Sequence, residues 1–257
     1  MAHEPEVSGA DHALALSPSA RIDIPIHISG DGNRLVIEEG AVCGIEGGGS
    51  IRISGRNNTV RIGAGCRFGI VLAVEGTGSV VDIGRDGWLA GRANVFSDAS
   101  TLKIGDKTTM VEGSLQMHET SELIIGEDCM ISRLVYLSVS DIHPIYDRRT
   151  GRRINTAKPI HVGDHVWLGM RSIIMKGASI GDGAIVAAGA VVFGQAPPET
   201  IMAGAPARVL RKGVVWCRNF DDAAPEAEPD TPAVAARPSG GFKRTIARWT
   251  RGLRDRG

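Results

Sequence analysis

Between Val162 and Val192 every sixth position is aliphatic: Val162, Leu168, Ile174, Ile180, Val186 and Val192. Glycine follows directly at Gly163, Gly169 and Gly181. An α-helix asks for spacings of three and four, and an amphipathic strand asks for two. A period of six satisfies neither. It suits a chain turning through short flat strands, with one aliphatic per strand pointing inward and a tight corner between strands.

A longer period precedes this one. Ile62-Gly63, Ile83-Gly84, Ile104-Gly105 and Ile125-Gly126 recur every 21 residues, each with a further aliphatic two positions earlier at Val60, Val81, Leu102 and Leu123. Leu35-Val36-Ile37-Glu38 is a degenerate earlier copy. Three hexapeptides make an 18-residue triangular coil, so 21 reads as one coil with a three-residue corner extension. Such units stack because none can bury its own apolar face alone. Ile125 and Val162 lie 37 residues apart, 19 more than one such coil, and the residues that break the pattern are roughly 141 to 160. The expectation is an all-β parallel β-helix over 21–216 with an excursion loop at 141–160.

The flanks read differently. Residues 1–20 are polar and aperiodic and read as disordered. Alternation begins with Ile22, Ile24, Ile26 and Ile28, where Pro25 marks an edge or a first coil. Pro197-Pro198 stops the hexapeptides, since neither residue can donate to a strand ladder. Residues 217–240 form an acidic Pro/Ala-rich linker. Residues 241–257 carry six basic side chains and one acid, with Phe242, Ile246, Trp249 and Leu253 on one helical face. A short basic amphipathic helix of this kind suits weak contact with an anionic membrane surface or with a partner enzyme.

Composition narrows the picture. The 34 glycines against two tyrosines and five phenylalanines fit a narrow coil interior that admits aliphatics and excludes rings. With 29 basic and 29 acidic residues, the chain has no global pull toward nucleic acid. Cys43, Cys66, Cys129 and Cys217 form no C-x-x-C pair and read as small core residues of a reducing compartment. The first residues show no basic or apolar leader pattern, so a cytoplasmic protein is expected, at most peripheral to the inner face of the membrane.

Candidate chemistry lies in the excursion, Ser140-Asp141-Ile142-His143-Pro144 through Gly151 to Ile154-Asn155. A loop that leaves a rigid scaffold and carries Asp-x-His is where function concentrates. Downstream stand Val166-Trp167-Leu168-Gly169, Ile180-Gly181 and Ala203-Gly204-x-Pro206-Ala207-Arg208-Val209. On these motifs, over about residues 60–212, the chain resembles the hexapeptide-repeat acyltransferases, in the branch that O-acetylates sugars and polysaccharides.

The resemblance implies a left-handed β-helix assembling as a homotrimer, with acetyl-CoA as co-substrate in a groove between subunits and a sugar or glycan as acceptor. It implies that His143 is the general base, with Asp141 or Asp147 as the orienting acid, and that Trp167 walls the site. Gly169 and Met170 would supply a backbone donor to the oxyanion, Ala188 would flank the pantetheine arm, and Arg208 and Arg211 would reach the nucleotide phosphates. Imidazole suits the base role, because its ordinary pKa of about 6.5 lies close to neutral pH. No metal is expected. Met170, and Phe193-Gly194, depart from residues common among relatives and leave room for another acyl donor.

Other readings compete. A zinc enzyme of the γ-class carbonic anhydrase type would need three imidazoles, and His161 and His165 join His143 as candidates. Their spacing of four does not match a six-residue strand period. A non-catalytic β-helix scaffold has no need of the excursion. His118 and the cluster Arg148, Arg149, Arg152 and Arg153 read as surface residues, the arginines within reach of an anionic glycan or a CoA phosphate.

Overall fold

The computed structural model describes residues 4–45 and 48–222, and among these no α-helix occurs. The chain winds as a left-handed β-helix. Nine strands, from Ala13–Leu16 to Gln195–Ala196, stack as one parallel sheet, one strand per coil. A 15-stranded sheet supplies the other two faces. In the middle coils it runs unbroken around their shared corner, as in Arg67–Thr77 and Met130–Ser138.

The two sequence periods become columns of register partners. Ile37, Ile62, Ile83, Ile104, Ile125, Val162 and Ile180 stack in one line inside the nine-stranded sheet. Met110, Ile131, Leu168 and Val186 line the first of the remaining faces. Leu72, Ala93, Leu115, Leu137, Ile174 and Val192 line the second. All are buried. At roughly 1.5–3 kcal/mol per buried aliphatic, these columns are the principal favourable contribution to the stack.

The 21-residue coils do not gain a simple three-residue corner: the step from the second face to the nine-stranded sheet is long, 11 residues from Ala93 to Ile104 and 10 from Leu115 to Ile125, while the step from the first face to the second is short. Ala93 follows Leu89 by four positions, Leu115 follows Met110 by five, and Leu137 follows Ile131 by six. Each added residue enters at a register shift, between Leu89 and Gly91 and again between Glu112 and Gly113. From Leu137 upward the spacing is the regular six. The corner between the first and second faces therefore widens coil by coil until the hexapeptide geometry is reached.

The opposite corner carries a buried polar ladder. Asn58 Nδ2 donates to the carbonyls of Ser54 (3.1 Å) and Gly76 (2.9 Å), while its Oδ1 accepts from the amide of Ser79 (2.9 Å). Asn33 makes the equivalent bonds one coil earlier, and Ser79 and Ser100 continue the line. These side chains stand in for backbone partners lost where the chain turns, and so keep the buried corner satisfied.

Two boundaries differ from the sequence reading. Glu6–Ala10 and Ala13–Leu16 already pair in parallel with the next coil, so a first coil occupies what was expected to be disordered over 1–20. The sheet edge beneath supplies hydrogen-bond partners that a weakly apolar segment lacks alone. At the other end the described chain continues past residue 216, because Arg218 is tied to Asp128 and Thr109. The basic segment 241–257 lies outside the described residues, as does most of the linker.

Candidate functional site

The excursion departs after Met130–Ser138 and rejoins the stack at Ile160–Val162. Its first turn is tight. Ile142 sits at φ +65°, and the His143 amide donates to the Asp141 carbonyl at 2.6 Å. That three-residue turn around a β-branched residue is strained, and strain of this kind persists only where the surroundings impose it.

Asn155 imposes it. Its side chain is buried and uses both ends: Oδ1 accepts from the Ile145 amide at 2.6 Å, and Nδ2 donates to the His143 carbonyl at 2.8 Å and to Asp141 Oδ2 at 2.9 Å. Lys176, from the coil above, donates through Nζ to Asp141 Oδ2 and to the Asn155 carbonyl. The Lys176 ammonium is the main cause holding the Asp141 carboxyl below its ordinary range; partial burial opposes it and the Asn155 bond adds to it. Farther out, Arg153 Nη2 donates to Glu119 Oε1 at 2.7 Å, which moors the returning limb to the coil below.

Neither candidate carboxylate holds the His143 ring. Asp141 is spent on Lys176 and Asn155, and Asp147 closes its own turn by accepting from the Thr150 amide and hydroxyl. The imidazole is exposed, and among the described residues nothing hydrogen-bonds to its ring. The main chain on both sides of His143 is thus fixed while its ring is left accessible.

Trp167 belongs to a second cluster on the first face. Its Nε1 donates to Ser132 Oγ at 3.3 Å, and its ring centre lies 6.1 Å from that of Trp216. Trp216 stacks on His165 at 4.1 Å, donates to the His165 carbonyl and presents its own carbonyl to His165 Nε2. Asp128 binds His165 Nδ1 at 2.7 Å and Arg218 Nε at 2.8 Å. Burial disfavours the Asp128 carboxylate, but its bonds to His165 and Arg218 outweigh this and hold it below the ordinary range. Residues 216–218 thereby form a strap across the coils below.

The remaining predicted positions line the upper coils. The Gly169 amide is committed to the Val186 carbonyl at 2.7 Å, so it is not available to an oxyanion. Among the described residues the adjoining Met170 amide makes no backbone hydrogen bond, and its side chain is exposed. Ala188 is exposed beside Gly189, around which a Cβ would meet nothing within 4 Å, so this stretch forms an open shelf. Arg208 and Arg211 lie exposed on the closing strand Ala207–Lys212.

The three histidines of a zinc reading stand apart in their contacts. His161 is exposed and faces Glu122, and His165 is held by Asp128 and Trp216. Among the described residues, no three His, Cys, Asp or Glu side chains gather as metal ligands would. His118 is more than surface decoration: it is half-buried, bonded to Gln116 Oε1 at 3.1 Å and set edge-on against Phe96. Cys43, Cys66 and Cys129 are core residues, whereas Cys217 is exposed. Sequence reasoning missed Lys176 and Trp216 altogether; the regular hexapeptide around Lys176 gave no sign that it serves the excursion.

Fold and excursion together define a left-handed β-helix that carries one long side loop. Residues 159–194 match the family model "Bacterial transferase hexapeptide (six repeats)". A polysialic acid O-acetyltransferase of Escherichia coli O1:K1 is 35% identical over 124 residues, 48% of this chain and 40% of that one. One from Neisseria meningitidis is 34% identical over 128 residues, 49% of this chain and 60% of its own. The crystal structure of the polySia specific acetyltransferase NeuO superimposes with TM-score 0.59 at 27% identity, covering 86% of this chain and 90% of that one. The chain is thus similar, in its hexapeptide repeats and its fold, to hexapeptide-repeat acyltransferases. Its matches span 40% and 60% of the length of these two curated relatives.

Proposed function

We propose that this protein transfers an acetyl group from acetyl-CoA to a hydroxyl of a sugar or polysaccharide, with His143 as general base. The observation that carries the reading is the His143 imidazole: exposed, unpartnered within the described residues, and mounted on a turn fixed by Asn155. A sugar hydroxyl is a weak nucleophile at neutral pH, and a positioned imidazole removes its proton as the new bond forms. Acetyl-CoA supplies the activated acyl carbonyl when bound. The Met170 amide, without a backbone partner among the described residues, is a donor suited to the charge that develops on that oxygen. The proton taken by His143 is then available to the departing thiolate, and no enzyme nucleophile is required.

The open shelf at Ala188 and Gly189 fits a narrow pantetheine arm, and Arg208 and Arg211 fit its phosphates. In this reading His143 and the Trp167 cluster, which have separate partners within one protomer, face each other across neighbouring subunits of a homotrimer. The relatives named for polysialic acid favour an acidic glycan acceptor, and the exposed Arg148, Arg149 and Arg152 at the excursion tip suit one.

The test is an acceptor screen with purified protein and acetyl-CoA, read as thiol release, comparing acidic and neutral glycans. His143→Ala is expected to lose roughly 10²–10⁴-fold in turnover while retaining CoA affinity. A variant at the wild-type rate would remove His143 from the mechanism.

A further inference from the structure

The widening corner leaves something that the transfer chemistry does not use. Where the spacing grows from four to six residues, the surface opens into a groove of about 390 Å³, within the range of small-ligand sites. Its floor is bare backbone at Gly91 and Gly113. A Cβ on Gly91, at φ +129°, would stand 2.2 Å from the Gly113 carbonyl oxygen, so the stacking itself keeps the floor free of side chains. Leu134, at φ +58° and 47% exposed, forms a wall. β-Bulges of this kind redirect side chains next to functional sites. Because the groove is built on strands of the stack, it is preformed.

Three polar side chains line it in one column. Arg92, Ser114 and Tyr136 are register partners on successive strands, so Arg92 and Tyr136 lie about 10 Å apart at the usual strand spacing. Among the described residues, the Arg92 guanidinium and the Tyr136 hydroxyl have no hydrogen-bond or ion-pair partner, although Glu112 shares the groove. Ser114 Oγ accepts from Gln116 Nε2 at 2.9 Å, which leaves its own proton to point elsewhere. Gln116 in turn is fixed by Asn94 and His118. The inventory is a planar cation, two hydroxyls, one carboxylate acceptor, an aromatic ring and an aliphatic wall. That set fits a hydroxylated ring carrying a carboxylate: the acid on Arg92, hydroxyls on Ser114 and Glu112, and the apolar ring face on Tyr136 and Leu134.

Position decides the role. Tyr136 stands on the strand that ends at Ser138, whereas His143 lies beyond the bend at 139–140, in the excursion. His143 is not among the residues that line the groove, so a unit held there is not the unit at His143. We propose that the groove is a remote subsite for a carboxylate-bearing sugar unit of an extended glycan, engaged while another unit of the same chain is presented to His143. The inference rests on the glycan-acceptor reading above.

The test measures binding by titration calorimetry on the full-length protein without acetyl-CoA. The probes are a long oligomer of sialic acid and a neutral oligosaccharide of equal length. The acidic oligomer is expected to bind, and Arg92→Ala to weaken it about 10- to 100-fold, the worth of a charged hydrogen bond. Arg92→Lys should recover some of the loss, with unchanged melting temperature throughout. Equal affinity of wild type and an Arg92→Ala/Tyr136→Ala double variant would overturn the proposal. So would equal affinity for the neutral oligosaccharide, or an Arg92→Glu variant that changes only the oligomeric state. The two readings fail separately: Arg92-dependent binding without any acetyl transfer would sink the transferase reading alone, and transfer with Arg92-independent binding would sink the groove alone.

Discussion

The Asn155 side-chain amide donates to the main-chain carbonyl of His143 at 2.8 Å, across twelve residues of excursion. The same nitrogen holds Asp141, and the same side chain's oxygen holds the Ile145 amide. One buried amide thus sets the position of the candidate base from both sides.

Asn155→Ala removes four hydrogen bonds at a buried position, leaving groups that each cost about 1–3 kcal/mol when unpaired. Turnover is expected to fall about 10²-fold, the cost of an ångström-scale misplacement. CoA affinity should be retained. Hydrogen exchange should show faster amides at 143–154 and an unaltered core, and a wild-type rate would show that the base is positioned by something else.

The Asp141–Lys176 pair makes the excursion sensitive to acid. Because the folded state holds the Asp141 carboxyl low, the pair stabilises fully above the ordinary carboxylate pKa of about 3.9, and this contribution is lost as pH falls through the lower folded value. Amide protection across 141–155 should therefore fall below about pH 4 in the wild type. In Lys176→Met it should already be low at neutral pH and vary little with acid. Identical pH profiles would show that the pair does not hold the loop.

Glycines of similar dihedral angle should differ sharply. Gly55, at φ +97°, would place a Cβ 2.0 Å from the Gly76 carbonyl oxygen, whereas Gly78, at φ +71°, has nothing within 4 Å. Gly78→Ala should cost about 1 kcal/mol for the left-handed conformation alone. Gly55→Ala must also push adjacent coils apart and should cost about 3 kcal/mol or more. Denaturant titration of both variants decides it, and equal losses would mean that coil contact contributes nothing.

The thiols should divide into one and three. Burial pushes Cys43 and Cys66 up to about 12 and Cys129 to about 11, while Cys217 is exposed. Alkylation of the native protein at mildly alkaline pH should label one cysteine quickly and the others only on unfolding. Rapid modification of Cys66 would mean that the coil interior opens readily.

Much of this architecture is written directly in the chain. A parallel coil puts successive repeats in register, so Ile62, Ile83, Ile104 and Ile125 are both a sequence period and a physical column. The excursion was legible as a gap between two columns that must meet, Ile125 and Val162. The migrating corner was not, because the step at Gly91 and Gly113 moves within a fixed 21-residue repeat and leaves the period unchanged. Asn155 stood in a motif without a visible task. Lys176 reaches Asp141 across 35 residues, and Trp216 reaches His165 across 51, distances at which no local pattern survives. Asp141 sat at the right spacing for an orienting acid, yet it faces an ammonium from the next coil.

The exact register of the lower coils has a consequence for how such a protein changes length. Each 21-residue turn touches only the turn before and the turn after, so duplication or loss of one would shift everything beneath it by a single strand spacing, about 4.8 Å. The apparatus at His143 would stay where it is. The scaffold behaves as a ruler whose lower end can be extended or trimmed, and the span of surface offered to a long polymer would grow or shrink in steps of that one increment.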